Sequence, residues 1–154
     1  DAAMHEADVL YLPTPQPVVA AMLRLAGVSA SDVVYDLGSG DGRIPIAAAR
    51  AGARGVGIEL DGRMIERARC NAREAGTERR IEFRQEDLFS TDLRDATVVT
   101  LFLFPEMNRR LVPKLFAELR PGTRIVSHRF GLGDRPPDRT VEADGHPLLL
   151  WVVP

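Results

Sequence analysis

Apolar residues recur along the chain with two alternating periods. Val18, Val19, Met22, Leu23 and Ala26 fall at helical spacing between Tyr11-Leu12-Pro13-Thr14-Pro15 and Gly27. This predicts a helix with Thr14 as N-cap, Pro15 at its first position and the glycine as its stop. Val33 to Leu37 is a short apolar run suited to a buried parallel strand. A tight glycine loop over 38–42 leads into a second helix, Ile44 to Ala51, whose Pro45 is tolerable in the first turn. The unit then repeats. Gly55 to Leu60 reads as a strand, and Met64, Ile65, Ala68, Ala72 and Ala75 as one face of a helix closed by Gly76. Ile81 to Arg84 alternates like a half-buried strand, and Thr97 to Phe104 reads as a fully buried one. Pro105 to Leu119 has helical spacing but must bend or break near Pro113. Thr123 to His128 is strand-like, and Thr140–Ala143 with Leu148–Val153 forms a closing antiparallel hairpin around Asp144-Gly145. Strands alternating with helices through short connections predict an α/β fold, a mostly parallel sheet with helices on both faces.

Composition narrows the class of molecule. The 154 residues match one domain at ~150 residues per domain, so 1–154 is read as a single domain. A chain of this length buries ~68–70% of its unfolded surface and needs neither disulfides nor a structural metal. Cys70 is alone, and His5, His128 and His146 give no zinc-ligand spacing, so no metal is expected. Twenty basic against 22 acidic residues argue against a dedicated nucleic-acid binder. The longest apolar run, Val98 to Pro105 with Thr100 inside it, is far short of the ~18 residues of a membrane span. With no signal-like segment at the start, the expected location is cytoplasmic. The first residue is Asp1 rather than methionine, which leaves a removed targeting or anchoring segment open.

The chemistry gathers at three successive strand ends. Asp36-x-Gly38-Ser39-Gly40-x-Gly42 follows the first strand, where open α/β sheets bind their ligands. Glu59 ends the second strand, nineteen residues beyond Gly40, where an acid can accept from both ribose hydroxyls. After the third strand, Asp87 is placed to accept from an adenine amine while the Leu88 N–H serves a ring nitrogen. The dinucleotide pattern G-x-G-x-x-G is not met, because Arg43 stands where its third glycine belongs. A carboxylate beside the loop repels a pyrophosphate and suits an ammonium. The site therefore favours a nucleoside carrying an amino acid over a nicotinamide dinucleotide.

Val34 to Arg43, reading VYDLGSGDGR, with Gly57-Ile58-Glu59-Leu60-Asp61, resembles the class I S-adenosylmethionine-dependent methyltransferases. Three further segments resemble a family of small protein N-lysine methyltransferases whose eukaryotic members are mitochondrial. They are Tyr11-Leu12-Pro13-Thr14, Leu103-Phe104-Pro105-Glu106-Met107-Asn108 and Ser127-His128-Arg129-Phe130. The resemblance implies a Rossmann-like, mostly parallel seven-stranded sheet with an antiparallel C-terminal hairpin, and S-adenosyl-L-methionine as cofactor. It implies that Asp36, Gly38, Ser39, Gly40 and Gly42 cradle the methionine part. Glu59 and Leu60 would then meet the ribose side, Asp87 and Leu88 the adenine, and residues 1–14 form a flap bringing Tyr11 and Thr14 over the cofactor. Pro45 replaces the family's usual aliphatic residue, and the chain lacks the membrane-anchoring segment of the eukaryotic members.

Methyl transfer from a sulfonium is mostly a matter of positioning, and an apolar pocket helps a lysine amine to become neutral. Phe102, Phe104, Phe130 and Tyr11 are candidates to line such a pocket, through cation–π contact, or to be ordinary core. Asn108 follows the fourth strand, a customary place for substrate contact in this superfamily, and is otherwise a helix surface or capping residue. His128 either binds substrate or relays a proton, or is a structural histidine bonded to backbone. With Tyr11, these two are the candidate catalytic residues, and a protein lysine is the expected acceptor. A small-molecule or RNA methyltransferase on the same fold, or a non-catalytic cofactor-binding module, stands as the alternative.

Overall fold

The computed structural model describes residues 13–154; the candidate Tyr11 lies outside them. Helix α1 (Gln16–Ala26) precedes β1 (Val33–Leu37), α2 (Arg43–Arg50), β2 (Arg54–Glu59), α3 (Gly62–Glu74) and β3 (Ile81–Gln85). Then come β4 (Val98–Leu101), α4 (Pro105–Glu118), β5 (Arg124–His128), β6 (Arg139–Ala143) and β7 (His146–Val152). The seven strands form one sheet in the order β3-β2-β1-β4-β5-β7-β6. Strands β1 to β5 pair in parallel; β7 runs antiparallel to both β5 and β6. The order reverses between β1 and β4, which opens a crevice at their carboxyl ends.

Strand alternation sends successive side chains to opposite faces. Tyr35, Leu37, Val99, Leu101, Ile125 and Trp151 share one core with Leu111 and Leu115 of α4. Val34, Val98, Val126 and Leu148 share the other with α1 and with Ile44 and Ala48 of α2. Helix α3 packs through Ile65, Ala68 and Ala72 against Ile46 and Phe83. The expected α/β architecture with helices on both faces is what the chain adopts.

Three local expectations are corrected. Thr14 does not cap α1: Pro15 holds the N-cap position without a side-chain bond, and the threonine hydroxyl lies 3.1 Å from His128 Nδ1 instead. Strand β4 stops at Leu101 rather than Phe104. Leu101 pairs with Leu37, the last residue of β1, and the chain there turns away at Gly38 (φ 88°), so nothing continues the ladder on that side. Helix α4 runs unbroken through Pro113. Pro113 and Arg109, whose carbonyl loses its N–H partner, are both exposed, and water can take the missing donor's place.

Candidate active site

A cavity of about 620 Å³ opens at the carboxyl ends of β1 and β2. Its floor is set by strand register. Asp36 sits beside Thr100 across the β1–β4 pair, and the Thr100 hydroxyl donates to Asp36 Oδ1 at 2.8 Å. Burial pushes the Asp36 carboxyl up to about 7, with the negative charges of Glu59 and Asp41 adding to the effect. A buried carboxyl that gains its charge when a cation binds, with two further acids nearby, favours a cationic ligand.

The glycine loop is held by its own amides. Gly38 and Ser39 N–H both donate to the Ile58 carbonyl at 2.8 and 2.9 Å, and Gly42 N–H donates to the Ser39 carbonyl. Gly40 N–H donates to Glu59 Oε1 at 2.9 Å, and Glu59 Oε2 accepts from Asp61 N–H. A phosphate-binding loop presents free N–H groups to its ligand; these four have protein acceptors. The Ser39 hydroxyl, by contrast, is buried at the cavity wall without a partner. Gly42 starts α2 with φ 84°, and a Cβ there would lie 2.9 Å from Phe83. Gly57 behind the loop is tighter still, 2.7 Å from both Phe83 and the Ser39 hydroxyl. The loop can lie this close to β2 only because those positions carry no side chain.

Arg43 fastens the N-terminal lead-in to this loop. Its guanidinium pairs with Asp41 at 2.6 Å and donates to the Thr14 carbonyl at 3.0 Å. Burial alone would raise the Asp41 carboxyl; the hydrogen bonds and charge of Arg43 outweigh it and hold the group below its ordinary value. Pro13 and Thr14 thereby form one wall. Leu60, 64% exposed, joins Met64 and Leu88 as apolar lining, a surface suited to a flat ring.

Thr14, Asp36, Gly38, Ser39, Gly40, Glu59, Leu60 and Leu88 of the sequence candidates line the cavity. Gly42, Asp87, Asn108 and His128 do not. The exposed Asp87 accepts from the Phe89 N–H at 2.9 Å, and its neighbour Glu86 is the lining residue. Asn108 is fully buried and donates through Nδ2 to the Gly131 carbonyl at 3.0 Å, fastening the segment after β5 to α4. His128 is 1% exposed and bonds to side chains, Thr14 and His146, rather than to backbone. Burial pushes it down to about 4, and the electrostatic influence of His146 and Arg129 acts in the same direction. Sequence reasoning gave no role to Asp41, Arg43, Met64 or Glu86. Asp41 and Arg43 stand inside the glycine-loop motif, which was the available signal.

Beyond β4, Phe102, Leu103 and Met107 close the far side of the cavity. Phe130 stacks 6.4 Å from Phe102 and lies 6.1 Å from Phe104. All three rings are half-buried, so the wall after β4 continues as an aromatic surface toward solvent.

A family model described as the ANTKMT methyltransferase domain matches residues 36–139. A protein-lysine N-methyltransferase of Saccharolobus islandicus (strain REY15A) is 41% identical over 151 residues, covering 94% of this chain and 94% of that protein. The adenine nucleotide translocase lysine N-methyltransferase of Mus musculus is 44% identical over 100 residues, covering 64% of this chain. The match spans only 44% of that relative's length. A solved structure described as an RNA methyltransferase from Salinibacter ruber in complex with S-adenosyl-L-homocysteine is 56% identical with a TM-score of 0.91. It covers 93% of this chain and 94% of its own.

Proposed function

The chain belongs to the ANTKMT methyltransferase family and is an S-adenosylmethionine-dependent methyltransferase; from that premise we propose that it methylates the side-chain amine of a lysine in a protein. The observation that carries the acceptor is the aromatic wall of Phe102, Phe104 and Phe130 beside the cavity. Such a wall admits an alkyl chain, attracts its cationic head and, by desolvation, favours loss of the amine's proton. The name of the Saccharolobus relative supports the same reading.

The cavity fits the cofactor. The cofactor supplies an activated methyl group on a sulfonium. Asp36 takes the amino-acid ammonium, and Gly38, Ser39, Gly40 and Gly42 shape the loop around the methionine part, with the unpartnered Ser39 hydroxyl free to bond it. Glu59 keeps lone pairs for the ribose hydroxyls while its oxygens hold Gly40 and Asp61. Leu60 would hold the ribose side and Leu88 the adenine, with Asp87 near it. From the lead-in of α1, Pro13 and Thr14 close the site. Asn108 and His128 shape the acceptor side from behind, and positioning in line with the methyl group supplies most of the rate.

The description of the Salinibacter structure as an RNA methyltransferase favours RNA as a second acceptor. Incubation with a labelled cofactor and a cell lysate separates the two. Label mapped by mass spectrometry to lysine in peptides is the expected result; label in RNA or in small metabolites alone overturns the lysine reading. Among the described residues no helix is long and apolar enough to cross a membrane.

A further inference from the structure

His128 lies behind the cavity lining, yet it touches two residues that belong to that lining. Its Nδ1 is 3.1 Å from the Thr14 hydroxyl, and its ring centroid is 4.0 Å from that of Phe102, tilted by 33°. On its other side, Nε2 lies 2.8 Å from His146 Nδ1 at the start of β7. Thr14 belongs to the lead-in of α1, Phe102 to the connection after β4 and His146 to the antiparallel hairpin of β6 and β7. The end of β5 is where these three meet.

Both ring nitrogens are engaged, so the imidazole cannot turn without losing a hydrogen bond. The chain closes in either direction. When His146 donates to Nε2, His128 Nδ1–H donates to the Thr14 oxygen; when the Thr14 hydroxyl donates to Nδ1, His128 Nε2–H donates to His146. A neutral ring suffices for both arrangements.

We propose that His128 is a positioning residue that sets the cofactor wall at Thr14 and the acceptor wall at Phe102 against each other. It acts through those two side chains and not on the reacting atoms. His146, which does not line the cavity, keeps the ring in its plane. The Arg43 bond to the Thr14 carbonyl holds the same lead-in from the loop side, so Thr14 is fixed through both backbone and side chain. The proposal rests on reading the cavity as the cofactor site.

Partial mimics of the ring provide the test. An asparagine at 128 puts an amide near the place of Nδ1 and keeps the Thr14 link; a glutamine reaches toward the place of Nε2 and keeps the His146 link. The readout is affinity for S-adenosylhomocysteine by calorimetry, with thermal unfolding recorded in parallel. His128→Gln and Thr14→Val should each weaken binding ~5–10-fold, the size of one lost hydrogen bond. The double variant should be no weaker than the worse single one, because both remove the same bond. His128→Asn, which keeps the Thr14 bond and loses only the link to His146, should stay within ~3-fold of the parent. Multiplying losses, equal behaviour of the Asn and Gln variants, or unchanged binding by His128→Gln would overturn the role.

Should the His128 variants fail to fold, His146→Ala carries the test from outside the cavity. A loss of ~2–3-fold is expected for a bond that acts at one remove, and unchanged affinity overturns the role. A parent protein that binds no S-adenosylhomocysteine overturns the cofactor reading and this proposal together. Parent binding with every variant unchanged overturns the positioning role alone.

Discussion

The carboxyl edge of the sheet is built from opposite materials on its two sides. At β1 and β2 it presents carboxylates, Asp36, Asp41 and Glu59, around a loop whose Gly38, Ser39, Gly40 and Gly42 amides are spent on its own fold. At β4 and β5 it presents rings, Phe102, Phe104 and Phe130, backed by the buried neutral groups Asn108 and His128. Burial acts on both and favours the uncharged form in each. It pushes Asp36 up to about 7 and His128 down to about 4. The consequences differ. The first side becomes conditional on a cationic ligand that restores its charge, whereas the second stays neutral throughout the physiological range. One physical cause thus yields a responsive pocket and an indifferent wall.

The largest effect should follow from removing the responsive group. Asp36→Asn should weaken cofactor binding by about 3–5 kcal/mol, the cost of leaving a buried ammonium without its partner. In the parent protein, a bound cation draws Asp36 into its charged form. Affinity should therefore rise with pH up to about 7, with release of about one proton per cofactor bound at pH 6 and almost none at pH 8.5. Calorimetry in two buffers of different ionisation heat measures that proton directly. Its absence at pH 6 would place the ammonium away from Asp36.

The two sides should also oppose each other in stability. Asp36 is raised from its ordinary 3.8 to about 7, so the folded protein holds the extra proton between those values. Its contribution is present below 3.8 and is lost as pH rises through 7, about 4 kcal/mol at most. His128 is lowered from 6.5 to about 4, so the unfolded chain holds the extra proton. That contribution is present above 6.5 and is lost as pH falls through 4, about 3 kcal/mol at most. Over pH 4.5–6.5 the slopes nearly cancel. Urea unfolding of the ligand-free protein should show a shallow profile there. Asp36→Asn should then gain stability as pH rises, and His128→Asn should lose it. Parallel profiles for the two variants would break the opposition between the two sides.

The first side was largely legible from sequence and the second was not, for a reason of range. Asp36, the glycine loop and Glu59 act through neighbours a few residues away or at the next strand end, and their strings mark them. The His128 pairing depends on β7 folding back antiparallel, with His128 opposite Leu148, so that His146 arrives at its ring. Neither histidine's surroundings announce that. Thr14 carried a local signal for a helix cap, but Pro15 holds that position and the Thr14 hydroxyl meets a tertiary partner. The end of β4 was misplaced because a ladder stops where its neighbour turns away, and apolar content alone does not reveal the turn. Asp87 was marked by the strand end, while Glu86 occupies the lining; a one-residue offset after a strand lies below what alternation resolves.

Glu59→Ala should weaken cofactor binding by about 1–3 kcal/mol, because ribose hydroxyls lose a charged acceptor. The same change leaves the Gly40 and Asp61 N–H groups without their partner, so a smaller loss of thermal stability should accompany it. Calorimetry with S-adenosylhomocysteine checks the first and thermal unfolding the second. Lost stability with unchanged affinity would reduce Glu59 to a brace for the loop.

The smallest effect isolates the wall. Phe130 is half-buried, does not line the cavity, and meets its lining through Phe102, with Phe104 on its other side. Its carbonyl accepts from Ser127 and Asn108, contacts that survive truncation of the ring. Phe130→Ala should therefore leave S-adenosylhomocysteine affinity within about twofold, while slowing label transfer to lysate protein by about 0.5–1.5 kcal/mol of lost aromatic contact. That split between cofactor and acceptor is what two separately built sides require. An equal loss on both would mean that the wall shapes the cofactor pocket as well, and that the edge works as one surface.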